Sequence, residues 1–337
     1  MTATVETFVN DWRGATADAV IDPSFIYELR RVTEVAACAA FDWIGRGEKN
    51  LGDGAAVTAM REVLGEMPFD GIIVIGEGEK DEAPQLYNGE RVGRGDAALK
   101  VDIAVDPVEG TTYLANGLTN AMAVIAIAPR GTMMSPGPAF YMEKFAAPPA
   151  ARGAIDQAWP VGKKLAALGE ALGKPVADLT VFVLEKPRHR QLVVDIRAAG
   201  ARVALYPAGD VAGALMAAVP DSGIDALMGT GGTPEGLMSA CALRGLGAEF
   251  LGRLDPQLQT EREAVEQAGL DTKRWHRADE LITGRDVLFC ATGITSGLLF
   301  DGVERTDDQH VVETLMICGA TGERQFLRSY VPRRRKD

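Results

Sequence analysis

Apolar residues recur at helical spacing from Phe25 through Leu29, Val32, Val35, Ala36, Ala39 and Ala40 to Trp43. That period predicts a long amphipathic helix. Asp22-Pro23-Ser24 opens it and Gly45-Arg46-Gly47 stops it. A second helix is expected over residues 55–64, with Asp53 and Gly54 just before it. The pattern then changes to short, mostly apolar runs. Residues 71–75, 101–105 and 121–128 are rich in β-branched side chains or alanine, and 141–145 reads as a further strand. These features predict buried strands.

The second half alternates in a regular way. Strands are expected at 180–184, 203–206 and 224–228, each followed by a helix, at 191–199, 211–219 and 234–243. Further strands are expected at 287–291 and 313–318. A βαβα succession argues for an α/β fold with a mainly parallel sheet. The full pattern predicts a layered α/β sandwich of alternating helices and sheets in two subdomains. The pattern weakens between Pro148-Pro149 and Pro160, which suggests a linker. The expected divisions are an N-terminal arm (1–22), a metal- and phosphate-binding subdomain (23–158), a substrate-binding subdomain (159–332) and a basic tail (333–337).

Composition narrows the classes. Of 337 residues, 35 are Lys or Arg and 47 are Asp or Glu, a formal charge of −12. Such a balance speaks against nucleic-acid binding. No apolar run approaches a membrane span, and residues 1–18 lack a hydrophobic signal core, so a cytoplasmic protein is expected. Cys38, Cys241, Cys290 and Cys318 are widely spaced in apolar runs, as reduced buried thiols are. Three histidines argue against a histidine-based metal or relay site.

The densest chemistry lies in Asp106-Pro107-Val108-Glu109-Gly110-Thr111-Thr112, directly after the strand at 101–105. Two carboxylates three residues apart are expected at the strand's end. Pro107 fixes φ between them, Gly110 permits close backbone approach, and the threonines suit a helix start with free N–H groups. Carboxylates beside a phosphate cradle call for a cation between them, and hard oxygen ligands suit Mg²⁺ or Mn²⁺. The same letters also fit a plain strand, a proline turn and a capped helix.

More acids follow strands or flank helices: Asp53, Glu77, Glu79 and Glu235. Ligands gather at the carboxyl ends of strands in open α/β sheets, so these acids are expected to converge. Lys186-Pro187-Arg188-His189 follows another strand and offers cations for a phosphate. Gly229-Thr230-Gly231-Gly232 looks like a glycine-rich turn before a helix. It matches neither phosphate-loop nor dinucleotide spacing.

Together these pieces resemble a known family. Asp-Pro-x-(Asp/Glu)-Gly-Thr is similar to the signature of the lithium-sensitive, metal-dependent phosphatases. The chain resembles the class II (GlpX-type) fructose-1,6-bisphosphatases in Gly45–Asn50, Asp53–Val57, Ile75–Pro84, Tyr141–Lys144, Lys186–His189, Gly231–Gly236 and Ala291–Thr295. The resemblance implies the sugar-phosphatase fold, with hydrolysis of the 1-phosphate of fructose 1,6-bisphosphate and sedoheptulose 1,7-bisphosphate as a further substrate to test. It implies a divalent ion, Mn²⁺ or Mg²⁺, on Asp53, Glu77, Asp106, Glu109 and Glu235. It implies substrate contacts from Glu109, Gly110, Thr111, Tyr141, Lys186, Arg188, Gly209, Asp210 and Gly232. Thr111, Asp81 and Lys49 are implied as catalytic, and a homodimer or homotetramer as the assembly. Two departures stand out: Ala208 replaces a usual aspartate, and Thr112 replaces the arginine of some members. The rival readings are an inositol or nucleotide phosphatase and a non-catalytic sugar-phosphate sensor.

Overall fold

The strand β4 (Met122–Pro129) is buried on both faces, and this explains its unbroken apolar sequence. Met122, Val124, Ala126 and Ala128 face one core; Ala123, Ile125 and Ile127 face another. The computed structural model describes residues 20–76, 85–95, 97–219 and 222–333. Around β4 lies a mixed sheet of eight strands. It is formed by β1 (Asp70–Ile75), β2 (Arg91–Val92), β3 (Lys100–Glu109), β4, β11 (Leu288–Gly293), β12 (Glu304–Arg305), β13 (Gln309–Cys318) and β14 (Glu323–Pro332). A second sheet holds β5 (Tyr141–Ala147), β6 (Thr180–Leu184), β7 (Arg202–Tyr206), β8 (Ala226–Gly232), β9 (Glu249–Leu254) and β10 (His276–Arg277).

Helices fill the spaces. α1 (Ile26–Phe41) and α2 (Lys49–Glu66) cover the outer face of the first sheet through Leu29, Val32, Ala36, Met60 and Leu64. The expected opening holds: Asp22 Oδ1 accepts from Ser24 N at 2.8 Å. α6 (Asp210–Ala218) and α7 (Thr233–Leu246) lie between the two sheets, in a core shared with Val124, Phe182, Leu227 and Phe289. A helix between two sheets must be apolar all round and slim. The Val-Ala-Gly-Ala-Leu-Met-Ala-Ala sequence of α6 meets both demands, and every residue of that helix is buried. α4 (Val161–Leu172) and α5 (Arg190–Ala198) cover the far face of the second sheet. α3 (Thr111–Asn116), α8 (Gln259–Gln267) and α9 (Ala278–Leu281) are short connectors. The order of layers is therefore helix, sheet, helix, sheet, helix.

The mixed α/β layering is as expected, but several particulars differ. The second sheet is parallel only through β7, β6 and β8; β5, β9 and β10 run antiparallel. The chain does not divide between sheets at 158/159. β5 precedes that point yet joins the second sheet, and β11 to β14 return to the first. α2 begins at Lys49, so Asp53 sits within it and not before it. The arm is described only from residue 20, and the basic tail only at Arg333.

Asp102, on β3, is 1% exposed. Its Oδ2 accepts from Gly131 N at 2.7 Å and Met133 N at 3.2 Å, tying β3 to the turn after β4. Burial outweighs these bonds and Arg130, and pushes its carboxyl up to about 6. A raised acid pKa means the folded state holds its proton longer than the unfolded one. The group therefore costs nothing below the unfolded value of 3.8, and its cost is complete above about 6. That cost is on the order of 2–3 kcal/mol. Asp102→Asn should flatten the fall in stability between pH 4 and 7, measured by denaturant melts. An unchanged pH slope would show that Asp102 is not the group responsible.

Candidate active site

β3 does not end at Val105. It runs on to Glu109, with a break in register against β4 between Asp106 and Glu109. Pro107 sits in this bulge, where no ladder hydrogen bond is needed from it. Asp106 Oδ1 accepts from Val108 N at 3.0 Å and closes the bulge on itself. Gly110 follows with φ 85° and ψ 48°, a left-handed conformation that starts α3. Gly209, before α6, has the same φ and ψ. The Tyr113 ring lies against both: a Cβ on Gly110 or Gly209 would fall 2.6 Å or 2.8 Å from it. The Tyr113 hydroxyl donates to Ala208 O and accepts from Ala208 N, so it joins the two helix starts.

These starts open on a cavity of about 570 Å³. Asp53, Asp106, Glu109, Gly110, Thr111 and Thr112 line it, as do Tyr141, Lys186, Arg188, Gly209, Asp210, Gly232 and Glu235. Most of the residues picked from the sequence therefore meet. Glu77, Glu79 and Asp81 lie outside the described residues. Lys49 does not line the cavity; its Nζ donates to Thr112 Oγ1 at 2.9 Å, placing a cation behind the position where some family members carry arginine.

The glycine-rich segment is a strand, not a turn. Gly229 to Gly232 belong to β8 and pair with β5 from Lys144 to Tyr141. Their bareness admits acids: a Cβ on Gly231 would fall 2.1 Å from Asp210 Oδ2, and one on Gly232 would fall 1.8 Å from Glu235 Oε2.

Glu109, Asp210 and Glu235 each bring an oxygen to within 4.8 Å of the others. Glu109 is 3% exposed and accepts from Val211 N at 3.0 Å. Burial first, and then the charges of Asp210 and Glu235, drive its carboxyl well above the usual range. Three carboxylates held this close in a partly buried site fit a divalent cation with oxygen ligands. Asp210, expected as a substrate contact, also forms a buried ion pair with Lys144, which is 2% exposed.

The cationic wall is well anchored. Arg188 Nε donates to Thr230 O at 2.9 Å, and its guanidinium lies 5.2 Å from the Tyr141 ring centre. His189 is buried; its Nε2 accepts from Thr230 N at 2.8 Å, which leaves Nδ1 to donate to Leu184 O at 2.7 Å. It is a neutral strut between the Lys186–Arg188 loop and β8, with burial holding its pKa down.

Two site residues were missed in the sequence. Lys144 shares the inward face of β5 with Met142 and Ala146, and a lysine at an inward strand position demands a buried partner. That period-two signal was legible. Tyr113 had no such signal, because its partner lies 95 residues away.

A family model described as "Bacterial fructose-1,6-bisphosphatase, glpX-encoded" matches residues 23–331. The chain belongs to this family. It is 44% identical over 325 residues to the class 2 fructose-1,6-bisphosphatase 1 of Escherichia coli K12, covering 92% of this chain and 96% of the relative. The class 2 enzyme of Shigella flexneri gives the same figures. Among the described residues no helix is long and apolar enough to cross a membrane.

Proposed function

We propose that the chain hydrolyses the 1-phosphate of fructose 1,6-bisphosphate. The observation that carries this reading is a single cavity lined by the carboxylates Asp53, Asp106, Glu109, Asp210 and Glu235 together with the cations Lys186 and Arg188. A sugar bisphosphate presents two phosphates. One needs a cation between itself and the acids; the other needs a direct cationic grip.

Asp53, Asp106, Glu109 and Glu235 would hold the divalent ion, Mn²⁺ or Mg²⁺, with Glu77 as a further ligand. When bound, such an ion screens the phosphate charge and lowers the pKa of water. Thr111 offers a hydroxyl at the start of α3 to orient the attacking water, and the Gly110 backbone leaves room for the phosphoryl group. Lys186, Arg188 and the Tyr141 ring hold the distal phosphate and sugar, assisted by Gly209, Asp210 and Gly232. Lys49 supports Thr112 from behind, and Asp81 completes the catalytic set. The protein acts as a cytoplasmic homodimer or homotetramer.

Phosphate release should be measured from fructose 1,6-bisphosphate and sedoheptulose 1,7-bisphosphate, with Mn²⁺, Mg²⁺ or EDTA. Metal-dependent release from the fructose ester supports the reading; release only from inositol phosphates would replace it. The ratio of the two sugar esters reports on Ala208, which lines the cavity where the family's aspartate is missing. Lys186→Ala should raise KM about tenfold or more with a smaller change in kcat, since a charged contact to phosphate contributes about 1.5–3 kcal/mol. An unchanged KM would remove Lys186 from the distal phosphate site.

A further inference from the structure

α7 carries Glu235 in its first turn and Arg244 in its last. Arg244 borders a second cavity, of about 450 Å³, away from the acidic cavity. Four arginines line it, Arg152, Arg244, Arg277 and Arg285, against two carboxylates, Glu249 and Asp279. This is a local excess of positive charge on a chain with 47 acids and 35 bases.

The acids do not neutralise the group. Asp279 stands 3.5 Å from Arg152 and 3.7 Å from Arg277, and Glu249 stands 3.7 Å from Arg277. Arg244 is fixed from behind: Nε donates to Gly284 O at 2.6 Å and Nη2 to Thr283 O at 3.2 Å. Arg285 is exposed and makes no ion pair among the described residues. Burial, with repulsion from Arg285 and Arg152, lowers the Arg244 pKa. Guanidinium groups held near one another in a concave site bind doubly charged, multi-oxygen anions in preference to chloride, because each can donate two parallel hydrogen bonds.

We propose that this cavity is a second anion site, separate from the catalytic cavity, that binds a small phosphate dianion, either free or as a phosphomonoester. Arg244 and Arg285 form its centre, and Arg152 and Arg277 form its rim. The occupant lies at the opposite end of α7 from Glu235.

The test is calorimetric titration of the full chain with inorganic phosphate and, separately, with 2-glycerophosphate. Wild type, Arg285→Ala and the double variant Lys186→Ala/Arg188→Ala are compared, the last to subtract binding in the catalytic cavity. The expected result is a site that survives in the double variant and weakens at least tenfold in Arg285→Ala. Stronger binding of one probe identifies free phosphate or the ester as the better occupant. Phosphate binding equal in wild type and Arg285→Ala, or abolished in the double variant, overturns the proposal; so does the absence of binding by either probe. Arg285 is exposed, so its loss should leave the melting temperature unchanged. If Arg285→Ala unfolds, Arg152→Ala, whose side chain is 50% exposed, takes its place under the same criteria.

Discussion

Asp106→Asn should lower kcat for bisphosphate hydrolysis by about a hundredfold or more while the fold survives. The substitution keeps the shape of the side chain. Asn Oδ1 can still accept from Val108 N, the 3.0 Å bond that closes the β3 bulge. What it removes is a charge on the wall where the divalent ion is proposed to sit, and electrostatic stabilisation of a phosphoryl group depends on that ion being held in place. The check pairs steady-state phosphate release with a thermal melt. A folded Asp106→Asn protein with normal turnover would sink the assignment of this carboxylate, and with it the proposed metal wall.

The second large effect is on stability. Asp210→Ala strands the Lys144 ammonium, which is 2% exposed, on the inward face of β5. Removing one partner of a buried ion pair typically costs about 3–5 kcal/mol, because the remaining charge has neither water nor a counter-ion. The double variant Lys144→Met/Asp210→Ala should recover much of that loss, since methionine fills similar volume without a charge. Chemical denaturation of both proteins decides the matter. Equal destabilisation in the single and double variants would mean that the loss comes from the packing of α6 against Gly231 and not from a stranded charge.

These effects divide by how far apart in the chain their causes lie. The helix opening at Asp22, the buried strand at β4 and the slim apolar helix α6 are local matters of periodicity, and each was legible from a dozen residues or fewer. The acids at Asp53, Asp106, Glu109 and Glu235 were also legible, because carboxylates at the ends of apolar runs are expensive unless something uses them. All four line one cavity, although Asp53 and Glu235 stand on the helices α2 and α7 and not at strand ends.

Other features depended on pairings that local letters do not encode. Gly229 to Gly232 resemble a turn because glycine is usually read as a breaker, yet β5 supplies the ladder that makes them a strand. The antiparallel course of β5, β9 and β10, and the return of β11 to β14 to the first sheet, follow from long-range register. Asp210 looked like a sugar contact; only the fold sets Lys144 against it and Glu109 and Glu235 beside it.

By itself, then, the sequence determined the type of many elements, their apolar faces and the carboxylates available for phosphate chemistry. Side-chain period and charge are properties of neighbouring residues, so they survive without the fold. The tertiary structure alone decided which strands pair, which acids share a cavity and where four arginines face one another. Those outcomes depend on distances between residues that the chain keeps far apart until it folds.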